Sequence, residues 1–215
     1  ALSVIGGRER EAGWAFQVAA SMAGLDRDTA AHVYRAYARH LQRVGETGAA
    51  EKTLSDGLRH LLAIKPPEMR LAGDLAHDWA NVLAALDQPK KSVPAFEAAL
   101  AAYTRAQEAE RATAVQCDFA AVLARLGEFE RAEDLLQRAL ITGRQLDQPW
   151  WQGQARRGLA LLHGNQAERA RRAGQDLASQ AGWVEAEQYW SAALLDLLPL
   201  APARDLAEDY QALGR

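Results

Sequence analysis

The stretch Leu126-Gly127-Glu128-Phe129-Glu130-Arg131-Ala132 decides the fold. It is followed by Leu136, Ala139 and Leu140, so small and apolar residues recur at spacings of three and four. This spacing is the helical period. The stretch therefore predicts a turn at Gly127 that leads into a helix with one apolar face.

Three other segments of the chain align with this stretch, at residues 7–19, 44–58 and 86–100. Each has a small residue where its helix opens. The series of small residues is Ala12, Ala50, Ser92, Ala132 and, less closely matched, Ala170. Their separations of 38, 42, 40 and 38 residues give a period near 40. A fixed period in this range is typical of stacked structural repeats.

A second apolar stripe precedes three of these segments and predicts a first helix for each hairpin. The stripes are Tyr34, Tyr37, Ala38 and Leu41; Trp79, Ala80, Leu83 and Leu86; and Phe119, Ala120, Leu123 and Leu126. Similar stripes begin at Trp151 and Trp183. The alanine within each of the three matched stripes lets the paired helix approach closely.

In these residues the chain resembles the tetratricopeptide repeat family, in the longer-period form of bacterial signal-responsive regulators and kinesin light chains. The resemblance covers about residues 7–180. It implies an all-α, right-handed superhelix of helical hairpins in one domain, residues 1–215. We expect the second helix of a partial repeat at 7–24, hairpins at about 28–63, 70–106, 110–146 and 150–180, and a C-terminal hairpin or cap at 183–214. Pro94 suits only a first helical turn, so we expect its helix to begin near Ser92.

Composition and charge exclude several classes of protein. The formal charge of −3 offers no excess of cations for phosphates, so a nucleic-acid partner is not expected. The longest apolar stretch, 192–203, is broken by Asp196, Pro199 and Pro202 and is too short to cross a bilayer. One cysteine, Cys117, suits a reducing compartment, and we expect a cytoplasmic protein. Because the sequence does not begin with Met, a longer parent chain is consistent with it.

No pattern of catalytic, metal or cofactor residues is present in the sequence. The histidines show no HExxH spacing, and there is no phosphate-binding GxxxxGK[ST] or GxGxxG motif. His77 lies near Asp74 and Asp78, but further zinc ligands are missing. Cys117 lies between apolar neighbours in a predicted helix, as a packed thiol does. We therefore expect no enzyme activity, no cofactor and no metal.

The candidate binding residues follow from the resemblance, because first helices of this family line a concave groove. Arg35, Arg39 and Arg43 occupy groove positions of the first complete hairpin. The matching positions further along are His77, Asn81 and Ala85, then Cys117, Ala121 and Arg125. Guanidinium groups bind carboxylates and phosphates, so we expect an acidic peptide or protein to enter at the arginine end. The alternative is a solvated arginine face without a ligand.

The predicted function is therefore a protein-binding or peptide-binding scaffold, and the family's regulators suggest the sensing part of a signalling or transcriptional protein. Some family members hold a partner's C-terminal carboxylates with basic and amide side chains. Asp78 and Asp118 depart from that pattern. One alternative is a self-associating module whose interface includes Trp14, which falls at a usually outward position. Another is a helical-repeat RNA binder, which would need a longer basic groove.

Overall fold

The computed structural model describes residues 26–63 and 68–200, and within these ranges it contains helices and turns without strands. The helices are α1 Arg27–Arg43, α2 Thr47–Ala63, α3 Met69–Ala85, α4 Pro89–Ala106, α5 Ala109–Leu126, α6 Phe129–Gln145, α7 Pro149–Arg172 and α8 Asp176–Leu197. The predicted all-α fold of tandem helical hairpins is confirmed. The expected partial repeat at 7–24, with Trp14, lies outside the described residues.

Contacts divide the chain into two compact units, which separate between Glu108 and Ala109. Unit 1 contains the hairpins α1–α2 and α3–α4, and unit 2 contains α5–α6 and α7–α8. In each unit the first helices of the two hairpins, α1 with α3 and α5 with α7, also touch. The single domain over 1–215 stays a prediction.

The period of 40 is visible in the burial of the side chains. Residues 81–96 and 121–136 have the same sequence of buried, half-buried and exposed positions. The small residues Ala50, Ser92 and Ala132, each the fourth residue of its second helix, are all fully buried. The large residues that follow them by four, Leu54, Phe96 and Leu136, are buried as well. The predicted repeat register is therefore confirmed from α1 to α6.

The turn within each hairpin depends on one residue in the left-handed region. Gly127 has φ of +81°, and the next residue, Glu128, donates its backbone N–H to the carbonyl of Leu123 at 2.9 Å. This six-to-one bond closes the end of a helix and favours glycine before it. Asp87, with φ of +57°, takes the same place in α3–α4. An aspartate tolerates this conformation better than most residues do, which accounts for the missing glycine.

The predicted start of α4 at Ser92 is wrong. The helix begins at Pro89, which occupies its first turn, where a backbone N–H has no intrahelical acceptor. Pro94 therefore lies inside the helix, with its ring exposed. The Ser92 hydroxyl donates to the carbonyl of Pro89 at 2.8 Å, so this buried hydroxyl has its own partner within the first turn.

The predicted hairpin at 150–180 is also wrong. A single helix, α7, continues through Ala170 to Arg172, and its partner α8 begins at Asp176, before the expected 183. The buried stripe of α7 extends to Ala167, and the first residue with positive φ is Gly174. The apolar stripe keeps the chain helical through Gly164 and Asn165. The part of the predicted 183–214 element beyond residue 200 lies outside the described residues.

Gly153 allows α7 and α8 to approach closely, and we expect Gly153→Ala to destabilise unit 2. A Cβ atom at this position would lie 2.5 Å from Cγ of the fully buried Leu197. Overpacking costs about 1–3 kcal/mol, more than the roughly 0.5–1 kcal/mol that alanine gains inside a helix. Gly48→Ala is the control, because nothing lies within 4 Å of its added Cβ. Urea unfolding should show a lower midpoint for Gly153→Ala alone, and equal midpoints would contradict the close approach.

Candidate functional groove

The first helices of unit 1 are joined by ion pairs. Arg35 on α1 donates from Nε to Asp78 at 2.6 Å and from Nη1 to Asp74 at 3.1 Å, both on α3. The Asp74 side chain is 4% exposed and also accepts a hydrogen bond from the Tyr103 hydroxyl at 2.6 Å. Burial lowers the pKa of Arg35, but the hydrogen bond and charge of Asp78 outweigh it, and the pKa is raised overall. Arg35 thus links α1 to α3, and its predicted role in ligand binding stays a prediction.

The other candidate residues of unit 1 remain on its surface. Arg39 and Arg43 are exposed and line one cavity together with Ala36 and Gln42. His77 is half-buried, with its ring centroid 6.1 Å from that of Phe96, and Asn81 is exposed. That these four candidates, Arg39, Arg43, His77 and Asn81, bind a ligand stays a prediction. Across residues 26–63 and 68–200, no three His, Cys, Asp or Glu side chains are grouped to hold a metal ion.

Unit 2 contains a cavity of about 700 Å³ between its first helices α5 and α7, which we call the α5–α7 groove. Its lining is largely of small side chains, which leave the space open. The small residues are Cys117, Ala120, Ala121, Ala124, Gly127 and Gly158. Leu136, Leu161 and Leu162 add an apolar surface. A concave apolar surface of this size is typical of a ligand site.

Basic and polar side chains border this apolar surface. Arg125, Asn165, Glu168, Arg169 and Arg172 all line the α5–α7 groove. The Arg169 guanidinium lies 4.9 Å from the centroid of the Phe129 ring, a cation–π contact that holds it in place. Arg172 donates to Glu168 at 2.9 Å. Hydrogen bonds from Arg171 and Arg172 lower the pKa of Glu168 to about 2, so this carboxylate is ionised at neutral pH.

The groove contains one candidate residue from the sequence analysis, Arg125, and two of the predicted groove positions, Cys117 and Ala121. Burial, with a smaller effect of Asp118, raises the pKa of the Cys117 thiol to about 12. It is therefore a neutral thiol at physiological pH rather than a nucleophile. Arg169 and Arg172 were missed because the sequence analysis ended the first helix of this hairpin before Ala170. The apolar stripe that continues from Leu159 and Leu162 to Ala167, across Gly164 and Asn165, is the signal that could have found them.

None of the helices within the described residues is long and apolar enough to cross a membrane.

Part of the chain matches the sequence model of a known protein family. Residues 71–140, from α3 into α6, match the family model described as tetratricopeptide repeat. Over these residues the chain is similar to tetratricopeptide repeats. The resemblance drawn from the sequence is therefore confirmed, and tetratricopeptide repeats are typically non-enzymatic scaffolds for protein interactions.

Three solved structures share this fold. BtubC from P. vanneervenii has a TM-score of 0.64 at 17% identity, over 89% of this chain and 76% of that one. A putative kinesin light chain from Podospora anserina has a TM-score of 0.53 at 17% identity, over 85% of this chain and 94% of that one. Bacillus thuringiensis PlcR was solved in complex with the peptide PapR7 and DNA. It has a TM-score of 0.59 at 14% identity, over 96% of this chain and 68% of that one. A search of curated proteins found no match.

Proposed function

We propose that this chain is a scaffold that binds a segment of another protein, and that the segment lies in the α5–α7 groove. The observation that supports this most is the difference between the two units. In unit 1 the first helices are linked by Arg35 with Asp74 and Asp78, and the cavity of about 650 Å³ there is lined, within the described ranges, by residues of α1 alone. In unit 2 the cavity of about 700 Å³ lies between two first helices and has an apolar lining of small side chains and leucines. Open apolar volume with a few fixed polar groups suits a bound side chain.

The chemistry of the groove favours a segment with an apolar side chain beside an acidic group. Alanines and leucines would contact the apolar part, and Arg125, Arg169 and Arg172 offer three guanidinium groups against one carboxylate, Glu168. Guanidinium groups form strong, directional hydrogen bonds with carboxylates. An acidic partner, predicted at the unit 1 arginines, is thus proposed for unit 2.

A sensing role is the finer form of this proposal. PlcR was solved with a bound peptide, and its likeness to this chain is one of fold. Together with an open groove, that likeness supports a cytoplasmic regulator whose repeats detect a peptide, without enzymatic activity.

We expect Ala121→Phe to weaken peptide binding by at least about tenfold, which corresponds to about 1.4 kcal/mol. Ala121 is exposed and lines the groove, so a phenyl ring fits without disturbing the core and occupies the ligand's space. The probes are peptides selected on wild-type protein from a displayed random library with free carboxyl termini, and fluorescence anisotropy measures their affinity.

Ala98→Phe on α4 is the matched control, since Ala98 is exposed in the other unit. Arg169→Gln tests the charge, because it should weaken acidic peptides and reduce their sensitivity to salt. If no peptide is selected, or if Ala98→Phe and Ala121→Phe bind equally well, the groove is not the binding site.

A further inference from the structure

The last described helix, α8, has an apolar face that points away from its partner α7. Its buried residues, including Ala186, Trp190 and Leu197, face α7. Leu177, Val184 and Leu195 are 84%, 54% and 79% exposed. They are spaced by 7 and 11 residues, close to two and three helical turns, and therefore lie along one line of the helix surface. We call this stripe the α8 outer face; it consists of Leu177, Ala181, Val184, Gln188, Ser191 and Leu195.

The charges of α8 are all of one sign. The helix carries Asp176, Glu185, Glu187 and Asp196 and contains no lysine or arginine. At 3.6 residues per turn these carboxylates fall on both edges of the α8 outer face and none falls within it. Glu185 contacts Nδ1 of His163 at 3.0 Å and Asp196 pairs with Arg156, so these two also hold α8 against α7. The result is a face with three exposed aliphatic side chains and one edge, formed by Asp176 and Glu187, whose carboxylates do not hold α8 against α7.

The exposed side of α6 shows what an ordinary solvated face looks like in the same unit. Arg131 pairs there with Glu128, and Arg138 pairs with Asp134 at 2.9 Å. Charges of both signs alternate along that helix. The α8 outer face has neither the charges nor the internal pairs, and exposed apolar patches rimmed by polar groups mark interaction surfaces.

We propose that the α8 outer face binds an amphipathic helix whose apolar stripe is flanked by lysine or arginine. Such a helix would bury Leu177, Val184 and Leu195 and place its cations opposite Asp176 and Glu187, as charged flanks do in paired helices. A second copy of α8 is disfavoured because it would place carboxylates against carboxylates. This surface is separate from the proposed peptide site, since no described residue that lines the α5–α7 groove belongs to α8.

The test uses a synthetic helical peptide with leucine at heptad positions a and d and lysine at e and g. The full chain should bind it, and added salt should weaken the complex. Val184→Glu with Leu195→Glu should reduce affinity at least about tenfold, because two aliphatic contacts are lost and two charges are buried. Both positions are exposed, so circular dichroism of the double variant should match wild type.

Three controls separate the explanations. A scrambled peptide of the same composition measures the effect of charge alone. A peptide with glutamate at e and g should not bind. Ile141→Glu introduces a carboxylate at an exposed aliphatic position of α6. Equal binding of the scrambled peptide, equal affinity of the double variant, or no binding to wild type overturns the proposal. A wild-type dimer in sedimentation that the double variant abolishes would assign the surface to a second copy instead.

Discussion

Replacing Arg35 by methionine is expected to lower the free energy of unfolding by about 3 kcal/mol. This value is near the low end of the cost of breaking a buried ion pair, because Arg35 is partly exposed. Methionine keeps the apolar stem but removes both hydrogen bonds to α3. The buried Asp74 carboxylate would then lose the guanidinium and keep the hydrogen bond from the Tyr103 hydroxyl. An incompletely compensated buried charge is the main source of the cost. Urea unfolding followed by circular dichroism measures it.

Arg39→Met is the matched control, because Arg39 is exposed on the same helix and should change stability by less than about 0.5 kcal/mol. Adding Asp74→Asn to Arg35→Met should restore part of the loss, since a neutral amide can still accept the Tyr103 hydrogen bond. If Arg35→Met and Arg39→Met are equally stable, the bridge between α1 and α3 contributes nothing. The result also decides how the arginines are tested for binding, because we expect substitutions at Arg39 and Arg43 to leave stability nearly unchanged and one at Arg35 to lower it.

The repeat register could be predicted where side-chain size alone determines the packing. Ala50, Ser92 and Ala132 recur at the predicted helix openings because only small side chains fit there, and all three are fully buried. The register failed after Pro149, because Ala170 resembles a helix opening in sequence but lies near the end of a longer helix. Position in a repeat does not reveal whether the preceding turn exists.

The candidate site was predicted in part for a similar reason. Repeat positions place Cys117, Ala121 and Arg125 on the face that lines the groove, because helical geometry is local. The pairing of Arg35 with Asp74 and Asp78 depends on residues 39 and 43 positions away, and on which rotamer bridges two helices. A spacing of four identifies a common face, but it does not show which of the side chains on that face already have partners.

Leu136→Ala is expected to destabilise unit 2 by about 2–5 kcal/mol. Leu136 is 2% exposed and lies on α6 against Gly158 of α7, where an added Cβ would be 2.5 Å from its Cδ2 atom. Truncation removes a buried side chain and leaves a space that α6 and α7 cannot close without moving. Ile141→Ala on the same helix is the control, because Ile141 is 52% exposed and should change stability little.

The contact between Leu136 and Gly158 also predicts that the effect of Gly158→Ala on stability changes sign when Leu136 is replaced by alanine. In the wild-type chain, Gly158→Ala gains helix stability of roughly 0.5–1 kcal/mol but forces Leu136 to move, so a net loss is expected. In the Leu136→Ala background the obstructing methyl group is gone, and the same substitution should stabilise the protein. A double-mutant cycle by urea unfolding measures the coupling, expected at about 0.5–3 kcal/mol for residues in contact. Leu136 also lines the α5–α7 groove. Additive effects would mean that its side chain turns freely into that groove. The packing of α6 on α7 would then not depend on the contact between Leu136 and Gly158.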